Sequence, residues 1–314
     1  MRFIGVALVC LQILSAQPNR NLGGVLTGDN VRVVAIGDWG YLGADSGQKE
    51  VAAAIRKIHD ATPYDLGLTL GDNFYPSGVK SVNDVLWTKL WEQGYAKLGI
   101  PFFAALGNHD YRGNEQAEVD YSVRSKTWRM PFRYYTFTAG PIQFFALDTD
   151  EDTAGAILFR APWTNQQAIW LDGELARSPA KWKVVYGHHP IYSDGHHGDD
   201  RRLKRKLLPI LKARHVDMYI CGHEHDLQVH ETDGMTFLIG GGGGKDPRPV
   251  RMRRAKFVAG RNGFLELSAT GQRLEWRIRS AAGGSLAAGV NSQLAAPTTT
   301  EPGRTRSAPS SPRR

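Results

Sequence analysis

Five times along this chain a short apolar run ends abruptly in glycine followed by a side chain that can bind a metal. VRVVAI (31–36) runs into Gly37-Asp38, DLGLTL (65–70) into Gly71-Asp72-Asn73-Phe74-Tyr75, and PFFAAL (101–106) into Gly107-Asn108-His109-Asp110. WKVVY (182–186) runs into Gly187-His188-His189, and VDMYIC (216–221) into Gly222-His223-Glu224-His225. Continuous apolar runs of this length predict strands buried on both faces. Between the early runs lie amphipathic segments at helical spacing: 49–59 carries Val51, Ala54, Ile55 and Ile58, and 82–97 carries Val85, Leu86 and Leu90. Strand, helix and strand in alternation is α/β architecture. In such folds ligands bind beyond the carboxyl ends of the strands, where the loops converge.

One Gly-Asp after a strand is an ordinary turn. Five such ends, all with oxygen or nitrogen donors, are not. Burying three histidines and two aspartates at one edge without compensation is costly, and metal coordination removes that cost. Asp38, Asp72, Tyr75, Asn108, His188, His223 and His225 make seven side chains, too many for one ion with an open position, so two ions are expected. His223 and His225 are two apart, which puts both on one side of an extended backbone. His188 and His189 are adjacent and point oppositely, so one of the two coordinates. Carboxylate, imidazole and phenolate donors without thiolate favour iron, manganese or zinc. Cys221 lies inside a strand and packs as a small hydrophobe.

The blocks GDWG, GDNFY, GNHD, VYGH (185–188) and GHEH resemble the five blocks of the purple acid phosphatases, within the calcineurin-like metallophosphoesterases. The likeness runs over roughly residues 31–276 and is to the small, mammalian-type (tartrate-resistant) branch. It implies a four-layer α/β/β/α sandwich with a dinuclear metal site at the strand carboxyl ends. It implies a ferric ion held by Asp38, Tyr75, His225 and a bridging Asp72, and a divalent metal (Fe, Zn or Mn) held by Asp72, Asn108, His188 and His223. The implied activity is acid phosphatase: hydrolysis of small phosphate monoesters by metal-hydroxide attack, releasing inorganic phosphate. His109, directly after Asn108, matches the family's histidine that protonates the leaving group, and His197 in SDGHHG matches a second family histidine by its offset from His188. The alternative is a metallophosphodiesterase or nucleotide phosphatase of the same superfamily. A non-catalytic anion-binding protein would be expected to have lost ligands, and none is lost here.

The formal charge of +8 and pI near 9.5 favour anionic partners, but the excess is inflated by a basic tail, and no specific nucleic acid is expected. RRLKRKLLPILKAR (201–214) places Leu203, Leu207, Ile210 and Leu211 as the apolar face of a core helix with a basic outer face. The glycines at 240–244 precede Lys245-Asp246, which lacks the Ser or Thr of a phosphate loop, so a turn beside the metal site is expected. The acidic cluster DTDED (148–152) stands where the mammalian-type family has a restraining loop; here that loop looks short and lacks cysteine. Residues 1–17 have the layout of a signal peptide, which predicts an exported protein (secreted or periplasmic) without a stable membrane anchor. The catalytic domain is expected over 28–279, and 280–314, rich in Ala, Gly, Ser, Thr and Pro, as a disordered basic tail.

Overall fold

The structure is a computed structural model that describes residues 20–150 and 165–292. The expected leader at 1–17 and the loop after Asp150 lie outside the described residues. In chain order the first strands are β1 (Asn21–Leu26), β2 (Val31–Ile36), β3 (Leu66–Leu70), β4 (Phe102–Ala105), β5 (Trp128–Arg129), β6 (Tyr135–Ala139) and β7 (Ile142–Ala146). They are followed by β8 (Trp182–Tyr186), β9 (Met218–Cys221), β10 (Leu227–Thr232), β11 (Met235–Gly240), β12 (Phe257–Ala259), β13 (Gly263–Ala269), β14 (Arg273–Ser280) and β15 (Ser285–Ser292). The α-helices are α1 (Gln48–Ala61), α2 (Glu115–Tyr121), α3 (Asn165–Arg177), α4 (Arg201–Lys206) and α5 (Leu208–Ala213). None of the described helices is long and apolar enough to cross a membrane.

The strands form two sheets, ordered β1-β6-β7-β8-β9-β11-β10-β12 and β15-β14-β13-β2-β3-β4-β5. β2, β3 and β4 pair in parallel in one sheet, and β7, β8 and β9 in the other. All five predicted strands are therefore parallel strands whose carboxyl ends share one edge of their sheet. Alternation along each strand builds the layers. Phe103 on β4 stacks on Phe137 of β6 with centroids 3.8 Å apart, joining the two inner faces. Its neighbour Phe102 turns outward onto Trp91 at 5.2 Å. On the other sheet, Phe145, Val185, Tyr219 and Phe237 face outward and bury Leu171, Leu203, Leu207 and Leu211 of the helical layer. Helix, sheet, sheet, helix is the four-layer sandwich that the sequence resemblance implies.

Four elements depart from expectation, the first being β1 (Asn21–Leu26), which pairs with β6 ahead of the expected domain start at 28. The segment 82–97 is not a regular α-helix: Trp87–Tyr95 winds as a π-helix. Trp87, Trp91 and Tyr95 recur every fourth residue and are all buried, and the wider winding keeps these bulky rings on one face. The basic helix at 201–214 is broken into α4 and α5 at Leu207, with Pro209 in the first turn of the second; Leu203, Leu207 and Leu211 still face the core. The tail boundary at 280 is wrong by at least twelve residues, because β14 turns at Gly283 (φ 83°) and β15 returns antiparallel, pairing Ser292 with Arg273. β15 is an edge strand with one face open, so it needs little apolar content and reads as tail composition. Residues 293–314 lie outside the described residues.

Candidate metal centre

Ligand candidates come from both sheets. Asp38 follows β2, Asp72 and Tyr75 follow β3, and Asn108 and His109 follow β4; His188 follows β8, and His223 and His225 follow β9. The turns are unusual. Asp38, Asp72 and His223 hold φ angles of 56°, 51° and 71°, a left-handed region that residues other than glycine rarely enter. Such strain, about 1–3 kcal/mol each, persists where the surroundings over-determine the conformation. The preceding glycines let the loops close on one another. A Cβ on Gly107 would lie 2.3 Å from the Asp72 amide nitrogen, and one on Gly222 would lie 2.5 Å from Asp38 Oδ2.

Two groups of four donors result, sharing Asp72. In the first, the Tyr75 hydroxyl lies 2.8 Å from Asp38 Oδ1, 2.8 Å from Asp72 Oδ2 and 3.3 Å from His225 Nε2. His225 Nε2 is 3.6 Å from Asp38 Oδ1. In the second, His188 Nε2 lies 3.2 Å from Asn108 Oδ1 and 3.4 Å from Asp72 Oδ1. His223 Nδ1 is 3.1 Å from Asn108 Oδ1 and 3.2 Å from His188 Nε2. Asp72 turns one carboxylate oxygen toward each group.

The donor chemistry fits cations. His188 Nδ1 meets the Leu70 carbonyl at 2.8 Å, which places its proton there and leaves a lone pair on Nε2. His225 Nδ1 meets the Asp246 carbonyl at 3.2 Å in the same way. The lone pairs of His188, Asn108 and Asp72 then converge with no proton between them, an arrangement that repels unless a positive ion lies inside it. Donors coordinated at about 2.0–2.2 Å stand about 3 Å from one another, close to the spacing found. Burial, then the Asp72 charge, pushes Asp38 well above the carboxylate range. Burial and the two aspartates push the Tyr75 phenol up. Burial also favours the neutral form of two of the imidazoles, pulling His223 well down and His225 down to about 4. Neutral imidazoles are ready ligands, and uncompensated carboxylates are what bound cations relieve.

The flanking histidines differ in their settings. His109 packs its ring 4.4 Å from that of Tyr75, with Nε2 3.9 Å from Asp72 Oδ2 and Nδ1 2.6 Å from the Pro76 carbonyl. His197 lies ring to ring with His223 at 4.2 Å, and His196 is exposed beside it. His189 does not point away as expected. Its ring sits 5.0 Å from His188 and 4.5 Å from His223, because β8 has ended at Tyr186 and strand alternation no longer governs direction. His223 and His225 likewise serve different groups rather than one side, since His223 is not extended.

Two buried acids complete the site without facing it. Asp110 accepts the amide N–H groups of Asn73 (2.9 Å), Phe74 (3.1 Å) and Gly107 (2.8 Å), tying the β3 and β4 loops together. Glu224 Oε1 accepts the Ser193 hydroxyl and the His197 N–H, each at 2.8 Å, while Oε2 lies 3.2 Å from His197 Nδ1. Both stand inside the blocks that carry ligands. Spacing alone does not separate a carboxylate that faces ions from one that faces amides.

The calcineurin-like phosphoesterase family profile matches residues 31–227. Purple acid phosphatase 3 of Arabidopsis thaliana is 33% identical over 81% of this chain and 75% of its own length. Human tartrate-resistant acid phosphatase type 5 is 30% identical over 75% of this chain and 78% of its own. Among solved structures, a Plasmodium protein described as GAP50, the anchor in the inner membrane complex, superposes with a TM-score of 0.75 at 24% identity. It covers 86% of this chain and 91% of its own, and that likeness shows the fold alone. With the sequence relatives covering three quarters or more of both chains, this chain belongs to the purple acid phosphatases of the calcineurin-like phosphoesterase family.

Proposed function

We propose that the protein is an acid phosphatase that hydrolyses phosphate monoesters at a dinuclear Fe(III)–M(II) centre, M being Fe, Zn or Mn. The observation that carries this reading is the pair of donor groups sharing Asp72. Asp38, Asp72, Tyr75 and His225 would hold the ferric ion, since a phenolate suits a hard trivalent cation. Asp72, Asn108, His188 and His223 would hold the divalent one. When bound, the two ions supply positive charge for the phosphate oxygens and acidify a water.

The chain's own side chains handle the proton and the orientation. His109, over Tyr75, is placed to donate Nε2–H to the leaving oxygen while the Pro76 carbonyl holds Nδ1. Burial, the largest influence on this ring, keeps it below the usual imidazole value, so its donor form is populated in acid. Glu224 aims His197 at the same cleft as a second donor. Export through the apolar residues 3–14 belongs to the same proposal, and amino-terminal sequencing of the secreted protein tests it.

The test is hydrolysis of an aryl phosphate from pH 4 to 8 with metal analysis and a visible spectrum. We expect acid-optimal turnover, two metals per chain and a charge-transfer band that Tyr75→Phe bleaches. Colourless, active protein holding two zinc ions would overturn the ferric assignment. Fully loaded protein without hydrolysis would overturn the activity.

A further inference from the structure

Next to His197 opens a cavity of about 510 Å³ lined by Arg201, Lys204, Arg253 and Arg254 against a single lining carboxylate, Asp199. His197 belongs to both places: it lines the cavity, and its ring packs on His223 of the second donor group at 4.2 Å. The cationic wall is held in place from beneath. Buried Asp194 accepts three successive amides, of Arg253 at 2.6 Å, Arg254 at 2.7 Å and Ala255 at 2.9 Å, which pins this segment to the loop carrying His197. Asp199 takes Arg254 at 2.6 Å and Lys204 at 2.9 Å.

The remaining positive charge is only partly neutralised. Arg201 is exposed and makes no ion pair among the described residues. The Arg253 side chain is 58% exposed; its Nη2 donates to the Asp194 carbonyl at 3.0 Å while its Nε stays 3.9 Å from the Asp194 carboxylate, so the guanidinium is positioned but only weakly paired. Four cations over the lining Asp199 and the buried Asp194 beneath leave a net positive wall, which beside a centre shaped for one phosphate forms a receptor for a second anionic group. We infer that this cavity is a second-phosphate subsite, so that the preferred substrate class is small phosphate monoesters carrying a further phosphate group on the same molecule. This rests on the phosphatase reading of the centre. Exposed charge pairs are individually weak and screened by salt. Several acting together on a dianion set an expected preference of about 10-fold at low ionic strength.

The experiment compares glucose 1,6-bisphosphate with glucose 6-phosphate, measuring kcat/KM for each in the metal-loaded enzyme. Wild type should favour the bisphosphate about 10-fold, and Arg201→Glu should bring the ratio near one. Arg253→Gln, a milder change, should lower the ratio part of the way if Arg201→Glu fails to fold. Lys126→Glu, an equal charge change on an exposed side chain outside the cavity, should leave the ratio in place. A wild-type ratio near one, or a ratio that Lys126→Glu lowers as much as Arg201→Glu, overturns the subsite while leaving the monoesterase intact. If neither sugar phosphate nor an aryl phosphate is hydrolysed, the phosphatase reading fails. Calorimetric titration of the same two compounds then decides the subsite alone, with tighter bisphosphate binding lost in Arg201→Glu expected, and equal binding overturning it.

Discussion

Asp72 is the residue on which both donor groups depend, one carboxylate oxygen to each. Asp72→Ala should therefore deplete both metals, whereas Asn108→Ala should deplete chiefly one, as read by metal analysis of the purified variants; two ions per chain in Asp72→Ala would remove its bridging role. His109 is expected to matter most for poor leaving groups. General acid assistance is worth about 10²–10⁴-fold, so His109→Ala should cost far more on an alkyl phosphate than on an activated aryl phosphate. Equal losses on both would assign His109 to phosphate binding instead. Glu224→Gln should reproduce a milder form of the His197→Ala defect, and the double variant should lose no more than His197→Ala alone, because one acts through the other. The ligand candidates were legible because each follows a strand-ending glycine. Glu224, Asp110 and the inward turn of His189 were not, because they depend on which amide or ring lies opposite after folding.

At the scale of elements, the parallel strands that carry the site were readable from unbroken apolar runs, while the edge hairpin was hidden by its composition. β15 alternates between open and half-buried positions and carries Ala287, Ala288 and Gly289 where a central strand would carry branched residues. Gly289 is where local preference and packing disagree. Valine suits a strand better than glycine does, yet a Cβ there would stand 2.3 Å from Trp276 Cζ2, a side chain only 6% exposed. Gly289→Val should lower stability by about 1–3 kcal/mol, the usual result of overpacking, seen as a reduced Tm in thermal denaturation. A raised Tm would mean that Trp276 yields freely and that strand propensity outweighs the close contact.

Across the whole molecule, buried aspartates set opposing pH limits on stability. Burial raises Asp148 to about 7, although the Tyr111 hydroxyl and nearby Arg133 work against it. An unfolded aspartate ionises near 3.9, so between about pH 4 and 7 the unfolded chain sheds this proton first, and the stability the group gives in acid is lost as pH rises. Asp148→Asn should remove that slope, gaining about 1 kcal/mol or more relative to wild type between pH 5 and pH 8 by calorimetry; a constant difference would mean that the carboxyl is ionised throughout. Asp194 runs the other way. Burial would raise it, but the amides of Ala255, Arg254 and Arg253 hold it down to about 2, so its contribution is present above pH 4 and disappears as pH falls toward 2. Strand and helix alternation announces α/β architecture and the family resemblance implies the four layers, but such opposed titrations arise from contacts far apart in the chain. The seam between the sheets has one more consequence. Each sheet brings only part of each donor group, and the two are keyed together by the Phe103–Phe137 stack. The centre therefore works as a strain gauge for the sandwich: a slip between the layers that spares each sheet's own ladders would still misalign donors drawn from both, so damage to the interlayer key is expected to register as lost metal before it registers as lost fold.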